Sequence, residues 1–333
     1  MKLLVTGGAG FIGSHFIRQI LRKYPTYSVV NLDKLTYAGN LENLRDVEAN
    51  PRYRFIHGDI GDAAVVRDAG RGVDAIVNFA AESHVDRSIL GPGEFLQTDV
   101  FGTFTLLEVA REFGIPRYVQ VSTDEVYGPV EQSAVAESAP LRPSNPYSAS
   151  KAAGDLLASA YWTTYRLPVV LTRSSNNFGP NQYPEKVIPL FVTNALEDRP
   201  LPLYGDGKHL RDWLYVLDNC AAIDLVLHAG EPGEVYNIAG DTELENIALT
   251  REILRLLGKP ESLIQPVKDR PGHDRRYAMD CRKIRALGWK PTHDFGSALA
   301  ETVRWYRENE TWWRPLKNGG FKTYYARQYA DRA

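Results

Sequence analysis

The chain has 333 residues, 44% of them hydrophobic and 24% charged, enough for one large domain and a smaller lobe around a substantial core. Its formal charge of -2 is spread over interspersed signs with no basic patch or tail, which argues against nucleic acid and anionic membrane as partners. No run approaches the roughly 18 apolar residues of a membrane-spanning helix. Cys220 and Cys281 show no metal-site or disulfide spacing, so no bound metal and a reducing, cytoplasmic setting are expected.

Short β-branched runs at 3–6, 28–32, 53–58, 75–80, 118–122 and 168–173 alternate with helix-like stretches at 12–23, 98–113 and 147–165. This pattern predicts an α/β fold with a Rossmann-type, doubly wound parallel sheet, its apolar strands covered by helices on both faces. The last helix opens after Ser144-Asn145-Pro146, a cap signal. Beyond Arg173 the loops turn rich in Pro and Gly, which predicts a smaller α/β C-terminal lobe. The expected division is 1–175 for the nucleotide-binding domain with the catalytic groups and 176–333 mainly for the substrate lobe, some segments returning to the first domain. The cleft between them is the expected site.

Gly7, Gly10 and Gly13 follow the first strand in GxxGxxG spacing and open the first helix. Such glycines allow a tight turn and let a pyrophosphate approach the free N–H groups of a helix N-terminus. Asp33 ends the second strand about 20 residues past Gly13, the place of a ribose-binding acid. A carboxylate there would repel a 2′-phosphate, so NAD is favoured over NADP; the other reading of Asp33 is a turn cap. Asp59-Ile60, after the third strand, is a further candidate for the adenine edge.

Tyr147 and Lys151 lie four residues apart on one helix face. A neighbouring ammonium, together with the positive charge of an oxidised nicotinamide, is expected to lower the phenol pKa and make Tyr147 a base for a sugar hydroxyl, though the pair also occurs as simple packing. Thr123-Asp124-Glu125 sets two carboxylates behind a hydroxyl where a strand should end. That pair reads either as a solvated acidic turn or as the acid and base of a water elimination. Ser83 and His84 follow the fourth strand, on the ligand side of such sheets.

The motifs DKLTYAGN at 33–40, AAESHVDRSI at 80–89, STDEVYG at 122–128, PYSASKA at 146–152, SNNFGPNQYPEKVIPLF at 175–191, LPLYGDGKHLRDWLYV at 201–216 and DRPGHDRRYA at 269–278 together resemble the dTDP-glucose 4,6-dehydratases, members of the extended short-chain dehydrogenase/reductase family. The resemblance spans nearly the whole chain in order. It implies a redox-neutral lyase in which tightly held NAD takes a hydride and returns it. Tyr147 would deprotonate the 4-hydroxyl, Lys151 would bind the nicotinamide ribose, and Thr123 would hydrogen-bond the 4-keto oxygen. Glu125 would take the C5 proton while protonated Asp124 gives its own to the departing 6-hydroxyl.

The resemblance further implies that Phe11, Ile12, Lys34, Leu35, Thr36, Phe79, Ala80, Ala81, Ser83, Thr98 and Asn177 join the cofactor site. It places Ser83, Asn176, Lys186, Val187, Pro202, Leu203, Tyr204, Arg211, Asn246, Arg270 and His273 at the nucleoside-diphosphate sugar, with the arginines suited to the pyrophosphate. A homodimer packed through the helices near 98–113 and 147–165 is implied too. Alternatives are a UDP- or CDP-glucose dehydratase, a nucleotide-sugar 4-epimerase, or a catalytically silent NAD-binding regulator. Departures from the family pattern are Asp99 in place of Asn, Phe178 in place of Tyr, and the atypical stretch after STDEVYG.

Overall fold

The computed structural model describes residues 1–131 and 133–329. Its strands are β1 (Lys2–Thr6), β2 (Ser28–Asp33), β3 (Tyr53–His57), β4 (Ala75–Asn78), β5 (Tyr118–Thr123), β6 (Val169–Ser174), β7 (Asn176–Phe178), β8 (Leu201–Tyr204), β9 (Leu210–Tyr215), β10 (Val235–Ile238), β11 (Glu243–Glu245) and β12 (Ile264–Val267). Seven of them form one sheet in the order β3-β2-β1-β4-β5-β6-β10, every pair parallel. Parallel strands need crossovers, and the crossover helices cover both faces. Leu3 and Val5 of β1 therefore join one apolar layer with Phe16, Ile17 and Ile20, while Leu4 between them joins the other with Val66, Leu107 and Ala158.

The second half of the chain lends β10 to the large sheet and builds two small ones, β11-β9-β7 and β12-β8. The helix Val216–Ala229 packs on Phe11–Lys23 across the first layer, so both halves share one core. The helix Pro146–Tyr165 starts as its sequence predicts. Asn145 Oδ1 accepts from Ser148 N at 2.9 Å, Ser148 Oγ accepts from Asn145 N at 3.2 Å, and Pro146 takes the first turn.

The region expected as a helix over 98–113 is wound differently. Leu96–Gly102 forms a π-helix and α geometry resumes over Thr103–Glu112. The wide turn points Asp99 inward, where it accepts from Ser150 Oγ at 2.6 Å and from Glu82 N at 3.0 Å. Those tertiary bonds, invisible to helical periodicity, favour the extra residue in the turn.

A tight turn, Asp124–Tyr127, follows β5 and is held from behind. Gly128 ends it at φ +75°, where a Cβ would lie 2.2 Å from Arg142 O. Arg173 Nη1 donates to Tyr127 Oη at 2.8 Å, and its Nε to Asp155 Oδ2 at 2.9 Å, in a fully buried ion pair. Asp155→Ala would leave that guanidinium buried and uncompensated, at a cost of about 3–5 kcal/mol. Chemical denaturation checks this; a loss below about 1 kcal/mol would show that water or another group replaces the carboxylate.

Candidate active site

The sheet order reverses between β1 and β4, and a crevice opens at the carboxyl ends of the strands there. Gly7, after β1, has φ +68°, and a Cβ on it would lie 2.6 Å from Ala80 N, after β4. Gly13 is closed in likewise, with Gly7 O 2.5 Å from the place of its Cβ. Gly10 caps the helix Phe11–Lys23 without a side-chain bond, leaving N–H groups of the first turn for an anion. Gly7→Ala must displace backbone, so the purified protein is expected to carry less than a tenth of the wild-type bound dinucleotide, measured by absorbance at 260 nm against 280 nm.

Asp33 reaches the crevice from β2 with its carboxylate already oriented. Oδ2 accepts from Ala9 N and Oδ1 from Leu35 N, both at 2.8 Å, and burial raises its pKa above the usual carboxyl range. The Leu35 N–H closes this turn at φ +53°, between Lys34 and Thr36 on the cavity wall. Lys34 pairs with Asp59 at 2.8 Å across the rim.

A cavity of about 400 Å³ runs from these loops into the second lobe. Its cofactor end is walled by Gly7, Gly10, Phe11, Ile12, Gly13, Asp33, Lys34, Thr36, Asp59, Ile60, Phe79, Ala80, Ala81, Ser83, Thr98 and Asn177. Thr123, Asp124, Glu125, Tyr147 and Lys151 line its middle. Asn176, Lys186, Val187, Pro202, Leu203, Tyr204, Arg211, Asn246, Arg270 and His273 line the far end. All but Leu35 of the residues expected at the cofactor, the reacting groups and the nucleotide sugar border this one space.

In the middle, Thr123 Oγ1 caps the turn by accepting from Glu125 N at 3.3 Å and donates to Asp124 Oδ1 at 3.1 Å. Asp124 is buried, and burial, then the charge of Glu125, pushes its carboxyl up to about 8. Glu125 Oε2 lies 3.5 Å from both Asn145 Nδ2 and Tyr277 Oη. Lys151 Nζ donates to Val121 O at 2.9 Å. In the protein alone the Tyr147 phenol is pushed well above its usual pKa, first by burial and next by the charge of Glu125, with the Thr123 hydroxyl acting the other way. Lys151 lies one turn further along the same helix, Pro146–Tyr165.

At the far end, Arg270 pairs with Asp86 at 3.3 Å and Tyr204 Oη donates to Asp86 Oδ2 at 2.9 Å. Lys186 Nζ donates to Ser83 O, and Arg211 is nearly fully buried with Nη2 on Asp274 O at 2.9 Å. His84 has both ring nitrogens engaged, by Glu185 O and Tyr324 Oη, a structural arrangement. Several buried polar atoms of this wall have no protein partner: Asn176 Oδ1, Asn177 Oδ1, Gln182 Oε1, Trp213 Nε1, Asn246 Oδ1 and Arg270 Nε. Orphans so concentrated fit a polar ligand carrying hydroxyls and phosphates, and an NAD-sized guest beside it.

Sequence reasoning missed Glu82, Asp86, Glu185 and Tyr329 on this wall. The first two sit inside the motif AAESHVDRSI and could have been found there; Tyr329, in the helix Gly320–Tyr329, carried no local signal.

The sequence family described as GDP-mannose 4,6 dehydratase matches residues 4–302. The dTDP-glucose 4,6-dehydratase of Streptomyces niveus is 52% identical over 323 residues, covering 96% of each chain, and that of Streptomyces antibioticus 51% over 323 residues, covering 95% of this chain and 96% of the other. The chain belongs to the dTDP-glucose 4,6-dehydratase family. Among solved structures, the dTDP-glucose 4,6-dehydratase DesIV of Streptomyces venezuelae, crystallised with NAD, superposes at a TM-score of 0.94 with 56% identity over 95% of this chain and all of its own.

As a dehydratase of this family it shows its departures in plain structural settings. Phe178 is sealed among Trp213, Tyr215 and Phe295, where a phenol oxygen would need a partner. The stretch after STDEVYG lies along residues 276–280, Val130 N donating to Arg276 O and Val135 N to Ala278 O. His209, Asp269 and His273 cluster within ligating reach of one another. Burial and the charges of Arg270, Arg211 and Arg275 hold the His273 imidazole far below its usual pKa.

Proposed function

We propose that the protein is an NAD-dependent hydro-lyase that converts dTDP-glucose to dTDP-4-keto-6-deoxyglucose for deoxysugar biosynthesis. The carrying observation is a carboxyl held protonated beside a second one: Asp124, pushed up to about 8, adjoins Glu125 in the cavity that also holds Tyr147 and Lys151. A 4-epimerase needs the phenol and ammonium but no such acid and base, and a silent regulator needs none of the four.

The wall loops and Asp33 hold the dinucleotide, with Lys151 assigned to its ribose. NAD, when bound, accepts the C4 hydride, returns it to C6, and in its oxidised form adds a positive charge that favours a phenolate. Tyr147 takes the proton of the 4-hydroxyl, and Thr123 donates to the oxygen as it becomes a ketone. The ketone acidifies C5–H; Glu125 removes that proton while Asp124 protonates the departing 6-hydroxyl, so water leaves. Glu125 then returns the proton to C5. Arg211 and Arg270 suit the pyrophosphate, and Pro202, Leu203 and Tyr204 the base, as the buried orphan donors and acceptors around them support.

Purified protein incubated with dTDP-glucose should give the 4-keto-6-deoxy product without net NADH. dTDP-galactose as the product would mean epimerisation, and turnover of UDP- or CDP-glucose alone would keep the chemistry and change the nucleotide.

The same reading divides the chain near residue 175, with β10 returned to the first domain. It also includes a homodimer, supported by Leu96, Phe101, Phe104, Leu156 and Tyr165, large apolar side chains left exposed on the helices that would pair. Sedimentation at micromolar concentration should find a dimer, and Leu156→Glu with Phe101→Glu should release monomer; a wild-type protein that sediments only as monomer would sink the dimer. Among the described residues no helix is long and apolar enough to cross a membrane. A cytoplasmic setting is supported by two free, buried thiols, Cys220 and Cys281, whose pKa burial raises.

A further inference from the structure

Asp99 has no place in the mechanism above, yet its carboxylate is the hinge pin between two walls of the site. The side chain is buried, and its two oxygens are divided between two elements: Oδ2 accepts from Ser150 Oγ at 2.6 Å, and Oδ1 accepts from Glu82 N at 3.0 Å. Ser150 directly precedes Lys151 on the helix that carries Tyr147, and Glu82 adjoins Ser83 on the wall after β4. The two helices meet closely at this point, because a Cβ on Gly154 would lie 3.0 Å from Asp99 O. The π turn makes this reach possible by turning Asp99 inward, a local irregularity of the kind that clusters at functional sites.

We infer that Asp99 is a positioning residue for proton abstraction by Tyr147, tying the catalytic helix to the cavity wall and holding a negative charge against the Tyr147–Lys151 pair. The inference rests on Tyr147 being the base, as proposed above. The groups facing Asp99 are Lys151 and Tyr147 from the helix Pro146–Tyr165 and Glu82 from the loop after β4. Glu82 in turn faces Asp99, Glu185, Arg87, Glu94 and Lys34. Burial lifts both carboxyls, Asp99 to about 6 and Glu82 to about 7, so each changes charge near neutral pH. A charged Asp99 attracts the Lys151 ammonium and opposes a phenolate at Tyr147.

Asp99→Asn keeps the shape and removes the charge. In a Glu125→Gln background, which blocks elimination, the rise at 340 nm on adding dTDP-glucose reports C4 oxidation alone, and its rate can be followed against pH. With Asn at 99 the acid limb of that profile should move to lower pH by about half a unit or more, since loss of a nearby anion eases ionisation of the phenol. Bound dinucleotide, measured at 260 nm, should not change. Contacts that were merely structural would scale the rate and leave the limb in place, so an unmoved limb overturns the inference. Tyr147→Phe in the same background separates the two readings: full C4 oxidation without the phenol removes the base itself. Should Asp99→Asn not retain its dinucleotide, Ser150→Ala carries the same test. It removes one donor that favours the charged carboxylate, and the limb should move in the same direction by a smaller amount; no movement there is equally decisive against the inference.

Discussion

Asp124→Asn should lower dehydration of dTDP-glucose about 10²- to 10⁴-fold, the range for loss of a general acid, while C4 oxidation continues. Asparagine fills the same space and still accepts from Thr123, but it has no proton to give the departing 6-hydroxyl. The variant should therefore hold a persistent 340 nm absorbance after substrate is added, without released product. Glu125→Gln should stop at the same stage for the complementary reason, that nothing removes the C5 proton. Dehydration within about threefold of wild type in both variants would remove these two carboxyls from the mechanism.

The pH dependence follows from the same geometry. Asp124 is held neutral by burial and then by Glu125, with its carboxyl at about 8. The acid is therefore armed below that value, and the wild-type rate should fall as pH rises through about 8. Stability runs in the same direction. The folded chain holds this proton where an unfolded Asp, with a pKa of about 3.9, has lost it. That contribution is complete below the unfolded value and is lost as pH rises to the folded one, so the melting temperature of Asp124→Asn should decline less between pH 5 and 9.

Tyr147→Phe should reduce the overall reaction by a similar 10²- to 10⁴-fold, but earlier, at C4 oxidation, so no 340 nm absorbance should appear. The phenol is buried, its pKa is pushed up by that burial and by Glu125, and the ring packs edge-on against Phe95 at 6.2 Å. Phenylalanine keeps this packing, so folding and bound dinucleotide should survive and the loss can be assigned to the hydroxyl. A variant that accumulates reduced cofactor at the wild-type rate would show that another group takes the 4-hydroxyl proton.

The strands β1, β2, β4, β5 and β6 were legible because each is a short run buried on both faces, and such runs stand out against amphipathic helices; β3, half-buried at the sheet edge, was legible from its β-branched and aromatic residues. The glycine turn, Asp33 and the Tyr147–Lys151 spacing were legible because local geometry favours those residue types at those intervals, whereas Thr123-Asp124-Glu125 kept two readings open until the resemblance to the family chose between them. Less was visible where long-range contacts decide. The π-helix at Leu96–Gly102 rests on Asp99 reaching Ser150, and the wall position of Tyr329 rests on packing against Tyr204, its ring centroid 6.1 Å away.

The sequence by itself determined the sheet, the dinucleotide turn and the set of groups available for dehydration, because those depend on residues close together in the chain. The resemblance named Asp124 as the carboxyl that carries the proton, but the physical reason it can keep one exists only in three dimensions. Burial of Asp124, then the charge of Glu125, raises its proton affinity against the Thr123 hydroxyl and Arg211, and neither burial nor electrostatic potential is a property of a tripeptide.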